Sequence, residues 1–553
     1  MKKIILLSII LLTVFLRLYK LNSYPALNAD EAAIGYNAYS LLETGKDEHG
    51  NSWPIHFQSF NDYKPGFYIY LVMPFVKVLG LNEWSVRLPN AILGITSVYL
   101  IYLLTKVLFE NIFSGNNKTN EIEKIALFTS FLLAISPWHI HFSRGGWEVN
   151  TATFLLMLGL YLLLKFLNNN KTLILILSAI IFVFSLYTYH STRIVAPLLI
   201  LGLIIIYRKE IKILFKPLLI SLVLGIILLV PLARDLAKGE IVSRAAGVGL
   251  FADVGPIEKT NEQRMEHKGT FSVILHNKVV NYGLAFLKNW GAHYHGLFLF
   301  VSGDVIQRNA VPETGQMYLF EIITVLAGLY FIFKNYISST KGFKVIVWWL
   351  LIAPVPSALT FQSPHALRAQ NMIIPLTIIS AYGLYQLVKV TKGLIPNKIF
   401  LTACYGIFIA IISWNFARYL HMYYKHMSKE YPFSSQYGVK DLVEYLSIQK
   451  KNYKNIVVTN KYDQPYILFL FYTKYPSQKF QKEHVLTPRD KFGFSTVDSY
   501  SNYIFKSIDW DRNKLMYPNS LIIGSDTEIP NETNITKKIY GSNGYLYFKV
   551  VEN

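Results

Sequence analysis

Apolar residues in this chain gather into long, unbroken runs instead of alternating or one-faced patterns. The first is Ile4 to Leu18, behind Lys2 and Lys3, and others lie at about 88–109, 125–140, 149–168, 172–189, 194–207, 217–233, 317–333, 344–361, 371–388 and 399–416. A helix needs about 20 apolar residues to cross a bilayer, so the pattern predicts about eleven transmembrane helices. The first run has the flanking charge of a signal peptide, but no small-residue cleavage site follows it, and it reads as an uncleaved first helix. Near residue 420 the runs end. A helix-like stretch, Val439 to Gln449, then precedes Asn455 to Asn460 and Tyr466 to Tyr472, both read as short strands, which together predict a small α/β domain.

Basic residues orient the helices, because Lys and Arg are retained on the cytoplasmic side. With the N-terminus inside, the inner loops carry Lys118 and Lys124, then Lys165 and Lys171, then Arg208, Lys209, Lys212 and Lys216. Further inner loops carry Lys334, Lys341 and Lys344, and finally Lys389, Lys392 and Lys398. The outer face receives a first loop of about 21–87, a second long loop of about 234–316 and, the span number being odd, the C-terminal part. The expected organisation is a transmembrane domain over 1–420 and a soluble extracytoplasmic α/β domain over 421–553, in the plasma membrane. Composition agrees: of 553 residues 52% are hydrophobic and only 16% charged, which excludes a wholly soluble protein. The formal charge of +20 is spread between apolar runs and forms no nucleic-acid-binding patch. The one cysteine, Cys404, excludes a disulfide within the chain and a cysteine metal site.

Candidate chemistry gathers on the outer face. Directly after the first run stands Asn28-Ala-Asp30-Glu31, where a carboxylate near the bilayer surface suits a general base for an acceptor hydroxyl. Asp30 equally suits the N-cap of the helix that Glu31 begins, and both roles stay open. Later in the loop come Asp62, Lys64-Pro65-Gly66 and Arg87-Leu88-Pro89; Lys64 and Arg87 either hold a lipid phosphate or anchor helix ends by snorkelling. Other outer segments carry His139, His141, Arg144 and Glu148, then Tyr189, His190 and Arg193, then His293, His295, Asp304 and Arg308, and last His365 and Arg368. Arg144, Glu148 and Arg193 either bind an anion or pair with one another. Several cations on one face make a shared anion site, with Arg308, His365 and Arg368, a stronger expectation than any single motif. A divalent metal stays open, since Asp30, Glu31, Asp62, Glu148 and the outer histidines offer ligands without a diagnostic spacing.

Taken together, Asp30-Glu31 after the first span, Lys64-Pro65 and Arg87-Leu88-Pro89 opening the second resemble the C-type-fold (GT-C) membrane glycosyltransferases. Within that group the likeness is to bacterial relatives of the protein O-mannosyltransferases and of the lipid A aminoarabinose transferase. It covers about residues 1–420; Gly303-Asp304 with Arg308, and Pro364-His365-Ala-Leu-Arg368, resemble elements of the bacterial branch. The resemblance implies transfer of a sugar from a polyprenyl-phosphate carrier to a protein, lipid or glycan acceptor at the outer face, usually with inversion. It implies Asp30 as the base, Glu31 as its support, and Lys64 and Arg87 facing the carrier phosphate. One departure is Tyr63, which separates Asp62 from Lys64 where some relatives place the acid directly before Lys-Pro. Two rival readings are a lipid-linked sugar flippase or transporter, and a surface-polysaccharide polymerase or ligase. Against the first, the spans lack inverted repeats and the charges gather in loops instead of at the midplane; against the second stands the first-loop Asp-Glu and Lys-Pro pattern.

Overall fold

The computed structural model describes the chain apart from residues 1, 61, 111–117, 214, 239–246, 248, 268, 337–340, 432–433, 435, 450–452, 490–494 and 542. The side chains of residues 62, 212, 213, 215, 270, 335 and 336 also lie outside the described part. The backbone divides into two compact units, one of residues 1–19 and 90–422, the other of 20–89 and 423–553.

The first unit is helical. The apolar runs assigned to it are helical, from Lys2–Leu18 at the start to Ile373–Leu394 and Lys398–His421 at the end, with the run at 344–361 divided into Lys341–Ile352 and Val355–Ala358. Among the described residues of the whole chain, six helices are long and apolar enough to cross a membrane, Glu83–Phe109 and Glu148–Asn169 among them. A seventh results if Lys118–Ile135 and Pro137–Ser143, which meet at a 58° bend, form one span. Thr172–Leu186 and Thr192–Ile206 are apolar but shorter. The bend follows from Ser136, whose hydroxyl accepts from the His139 N–H, and from Pro137, which supplies no N–H to continue the preceding helix.

The second unit is built on a seven-stranded mixed sheet. Its strands are β3 (Ile456–Val458), β4 (Val485–Leu486), β5 (Val497–Tyr500), β6 (Tyr503–Phe505), β7 (Leu521–Gly524), β8 (Lys537–Tyr540) and β9 (Leu546–Glu552), ordered β4-β5-β6-β3-β7-β9-β8. Central β3 runs parallel to β6 and β7, and the outer pairs are antiparallel. The expected helix at Val439 is present as Val439–Ile448 and the expected strand near Asn455 as β3. The stretch from Tyr466 differs from the expectation: it is a helix, Pro465–Thr473, with Pro465 through Phe471 all buried. A short segment buried on every side has no polar face to reveal a period, so its apolar run reads equally as strand or helix.

Residues 20–89 belong to this same unit, whereas the sequence had joined them to the membrane domain. Helix Ala29–Thr44 and a hairpin of β1 (His56–Ser59) and β2 (Asp62–Pro65) share one apolar core with the sheet side. Ala32, Tyr36 and Phe57 from the loop pack in one cluster with Tyr466, Phe471 and Phe480.

Candidate functional site

At the start of helix Ala29–Thr44 the Asn28 side chain accepts from the Glu31 N–H at 3.0 Å, and Glu31 Oε2 accepts from the Asn28 N–H at 3.3 Å. This reciprocal capping box satisfies two backbone donors and makes Asn28 the cap. Asp30 is therefore not the N-cap that the sequence allowed. Its carboxylate instead accepts a hydrogen bond from the Lys64 ammonium, and the two side chains keep 26% and 14% of their surface exposed, so the pair is reachable.

Lys64 is positioned by β2, opposite Phe57 of β1, and its ammonium lies 5.0 Å from the centre of the Phe60 ring. After it, the Gly66 N–H donates to Ile55 O at 2.9 Å, and a Cβ at Gly66 would fall 2.9 Å from that same oxygen and against the Phe57 ring. Only glycine lets the chain close here, which is what holds the Lys64-Pro65 end of the hairpin in place.

Glu31 and Arg87 form a fully buried, two-pronged ion pair. Arg87 Nε donates to Glu31 Oε1 at 2.7 Å and an Nη to Oε2 at 2.7 Å. The remaining Nη hydrogens reach Leu21 O and Pro25 O, both at 2.9 Å, and Ala26 O at 3.2 Å. A guanidinium has five N–H donors and all are engaged here, leaving none for a phosphate in this arrangement. Arg87 thus ties the segment after the first helix to the capped start of Ala29–Thr44.

Sequence reasoning missed a further carboxylate in this unit. Glu48 is entirely buried, its N–H donates to Asn37 Oδ1 at 3.0 Å, and its Oε1 accepts from Asn37 Nδ2 at 3.3 Å. Burial pushes its carboxyl up to about 8, with neighbouring Asp47 raising it further and the Lys64 ammonium and the Asn37 hydrogen bond pulling it down. Beside it, His49 Nδ1 lies 3.4 Å from His484 Nε2, and burial lowers the His49 imidazole to about 3. The signal was Asp47-Glu48-His49, three titratable residues in a row, followed by Gly50 at φ +91°.

In the helical unit, two motifs that are distant in sequence meet. Asp304 is buried and accepts from the backbone N–H of Ile306 at 2.9 Å and of Ala366 at 2.6 Å, and from Asn309 Nδ2 at 3.2 Å; His365 Nδ1 lies 3.6 Å away. Burial raises the Asp304 carboxyl above the ordinary value, against the pull of those N–H groups. His293, quoted in the sequence but given no role, completes the cluster. Its Nδ1 faces Asn289 O at 2.9 Å, so Nε2 is the acceptor for the Ser357 hydroxyl at 2.8 Å and the His365 N–H at 3.2 Å. Arg368 donates to the Thr360 hydroxyl at 2.7 Å.

The other candidates of this unit sit among local partners. Arg144 is buried and donates to Leu16 O at 2.7 Å, Arg17 O at 3.2 Å and Tyr19 O at 2.8 Å, closing the C-terminal carbonyls of the first helix. An Nη of Arg193 lies 2.9 Å from His190 Nδ1, its Nε donates to Leu186 O at 3.2 Å, and the Tyr189 ring neighbours His190. His141 Nε2 lies 2.9 Å from Arg308 O, while the Arg308 side chain is exposed. Glu148 opens helix Glu148–Asn169 in its first turn, where a carboxylate suits the dipole. Among the described residues no group of three or more His, Cys, Asp or Glu is arranged to hold a metal ion.

Residues 63–233 match the sequence model of the dolichyl-phosphate-mannose-protein mannosyltransferase family, an interval that holds Lys64 and Arg87. No curated protein matches the chain significantly. Among solved structures, the chain is similar to ArnT from Cupriavidus metallidurans in the apo state, with 11% identity, 99% of this chain and 97% of that one covered, and a TM-score of 0.54. The same ArnT bound to undecaprenyl phosphate gives 11% identity, the same coverage and a TM-score of 0.53. The oligosaccharyltransferase AglB from Archaeoglobus fulgidus, in complex with an inhibitory peptide and a dolichol-phosphate, gives 12% identity, 98% and 76% coverage and a TM-score of 0.50. The chain spans 61% of the length of the Archaeoglobus oligosaccharyltransferase in its zinc and sulfate complex. Residues 63–233 thus resemble that mannosyltransferase family in sequence, and the chain as a whole shares the fold of ArnT.

Proposed function

We propose that this protein transfers a sugar from a polyprenyl-phosphate carrier to an acceptor hydroxyl at the outer face of the membrane, with inversion. The observation that carries the reading is the Asp30–Lys64 pair, a carboxylate and an ammonium in direct contact, held by a capped helix and a hairpin. Sugar transfer breaks the bond between the anomeric carbon and a phosphate oxygen through an oxocarbenium-like state while the acceptor oxygen bonds to that carbon. The leaving polyprenyl phosphate gains a negative charge, which a fixed ammonium stabilises where it develops. Lys64 takes that role, and Asp30 accepts the proton from the acceptor hydroxyl. When the donor phosphate draws the ammonium toward itself, the Asp30 oxygen that Lys64 had occupied turns to the acceptor.

Arg87 and Glu31 act one step back: their buried pair fixes the helix start on which Asp30 stands. Arg144 fastens the end of the first helix in the same supporting manner. Of the cations expected to face the donor, Lys64 is the one this reading assigns to the phosphate; exposed Arg308 and half-buried Arg368 remain candidates for the carrier or acceptor. About eleven spans, with the basic loops cytoplasmic, would put Asp30, Lys64 and the α/β domain on the extracytoplasmic side of the plasma membrane.

The test is transfer of labelled sugar from a panel of undecaprenyl-phosphate sugars by the purified protein in vesicles. Wild type is expected to consume one donor, Asp30→Asn to lose turnover, and Lys64→Ala to lose both turnover and donor saturation. Full transfer by Asp30→Asn would overturn the reading. Movement of intact donor across the bilayer without cleavage would make the protein a flippase instead.

A further inference from the structure

We infer that the helical unit carries a binding site for an anionic glycerophospholipid at its basic end, remote in sequence from every residue assigned to sugar transfer. The site is a groove of about 660 Å³ between the junction of helices Thr192–Ile206 and Arg208–Ile213 on one side and helix Lys341–Ile352 on the other.

Both walls change from charged to apolar along their length. On one helix Lys341, Lys344, Trp348 and Leu351 all line the groove, a spacing that puts them in one stripe. From Lys341 to Leu351 that stripe is about 15 Å long. Facing it, Arg208 and Lys209 stand at the charged end and Ile205 and Ile206 at the apolar end. A soluble phosphate would use only the first end, whereas a phospholipid uses both: its phosphate meets the cations and its first acyl carbons meet the isoleucines, Trp348 and Leu351.

Two further observations fit that occupant. The charge is lopsided, since Glu210 is the one acid among the lining residues and it is paired with Lys341, whose ammonium also lies 5.1 Å from the centre of the Tyr207 ring. Trp348 is fixed where the charged and apolar parts meet. Its indole N–H donates to Leu198 O at 2.8 Å, and the ring lies against Gly202, where any side chain would collide with it. A rigid tryptophan with its ring along the apolar wall is the side chain preferred at the boundary between headgroups and hydrocarbon. The inference rests on the basic loops facing the anionic leaflet and is independent of which sugar, if any, is transferred.

The test uses the full-length protein in mild detergent, titrated by native mass spectrometry with phosphatidylglycerol or phosphatidylcholine. Wild type is expected to retain phosphatidylglycerol in preference. Arg208→Gln/Lys209→Gln/Lys344→Gln leaves the Lys341–Glu210 pair intact. At about five-fold per cation removed, it loses about a hundred-fold in affinity for phosphatidylglycerol and little for phosphatidylcholine. Lys165→Gln/Lys171→Gln, at the junction of helices Glu148–Asn169 and Thr172–Leu186, is expected to keep the wild-type preference. The inference is overturned if wild type does not distinguish the lipids, if the triple variant keeps the preference, or if the control variant loses it as fully. Displacement of the bound lipid by inorganic phosphate alone would also overturn it, because the apolar half of the groove would then contribute nothing.

Discussion

Replacing Arg87 with methionine removes five hydrogen bonds from a site that water does not reach. Glu31 is then a buried carboxylate without its cation, a loss of about 3–5 kcal/mol in comparable buried pairs. The carbonyls of Leu21, Pro25 and Ala26 lose their donor as well, at about 1 kcal/mol each even at the low end for buried acceptors. Against a total stability of about 5–15 kcal/mol this is a large share, and the loop of 20–89 should loosen first. Thermal unfolding followed by tryptophan fluorescence, with limited proteolysis of that loop, is the assay. Arg87→Met is expected to unfold well below wild type and to be cut within 20–89. Glu31→Gln/Arg87→Met is expected to recover at least half of the loss, because Gln keeps the capping contact with Asn28 and no buried charge is left unpaired. If Arg87→Met instead unfolds like wild type and only its half-saturation for donor rises, Arg87 is a phosphate ligand and the supporting role given to it here is wrong.

Other expectations follow from the same geometry. Glu48 holds its proton up to about pH 8 in the folded chain against an ordinary value of 4.5, so its contribution is complete below about pH 4.5 and is lost as pH rises through 8. At no more than about 1.4 kcal/mol per pH unit this amounts to at most about 5 kcal/mol, and Glu48→Gln should flatten the decline in melting temperature between pH 5 and 8; an unchanged profile would refute the buried protonation. Gly66→Ala is expected to cost about 1–3 kcal/mol and to reduce sugar transfer, since its Cβ meets Ile55 O and displaces the Lys64 end of the hairpin; wild-type transfer would argue against that positioning. Asp304→Ala strips an acceptor from two backbone N–H groups and Asn309 and should destabilise the helical unit by about 2–4 kcal/mol, read as a lower unfolding temperature.

The helical part was legible because hydrocarbon imposes a length: each run near 20 apolar residues is helical, although the breaks after Ile135 and Ile352 and the number of helices that cross were not legible. Asp30 and Lys64 stood out as candidates because polar residues beside long apolar runs are costly to keep, but their direct contact depends on the hairpin register, which no short motif carries. The buried partners of Arg87 were out of reach of the sequence for a related reason. An arginine that donates to three backbone carbonyls looks, in one dimension, the same as one that waits for a phosphate. His293 and Ser357 escaped because each is a single residue in an ordinary context, and their pairing across 64 positions exists only in three dimensions. The helix from Pro465 was hidden by its own burial.

The shared core of residues 20–89 and 423–553 also sets an order of events during synthesis. The ribosome delivers the loop well before residues 423–553, so until those emerge helix Ala29–Thr44 can pack only on its near neighbours, such as Tyr68 and Val72, and the rest of its apolar surface stays uncovered. Contacts of such sequence separation form late and slowly. The Asp30–Lys64 pair therefore gains its full support only when the sheet that includes Leu546–Glu552 has formed. A chain cut short before residue 423 would keep every residue assigned to sugar transfer and still lack the surroundings that hold the pair.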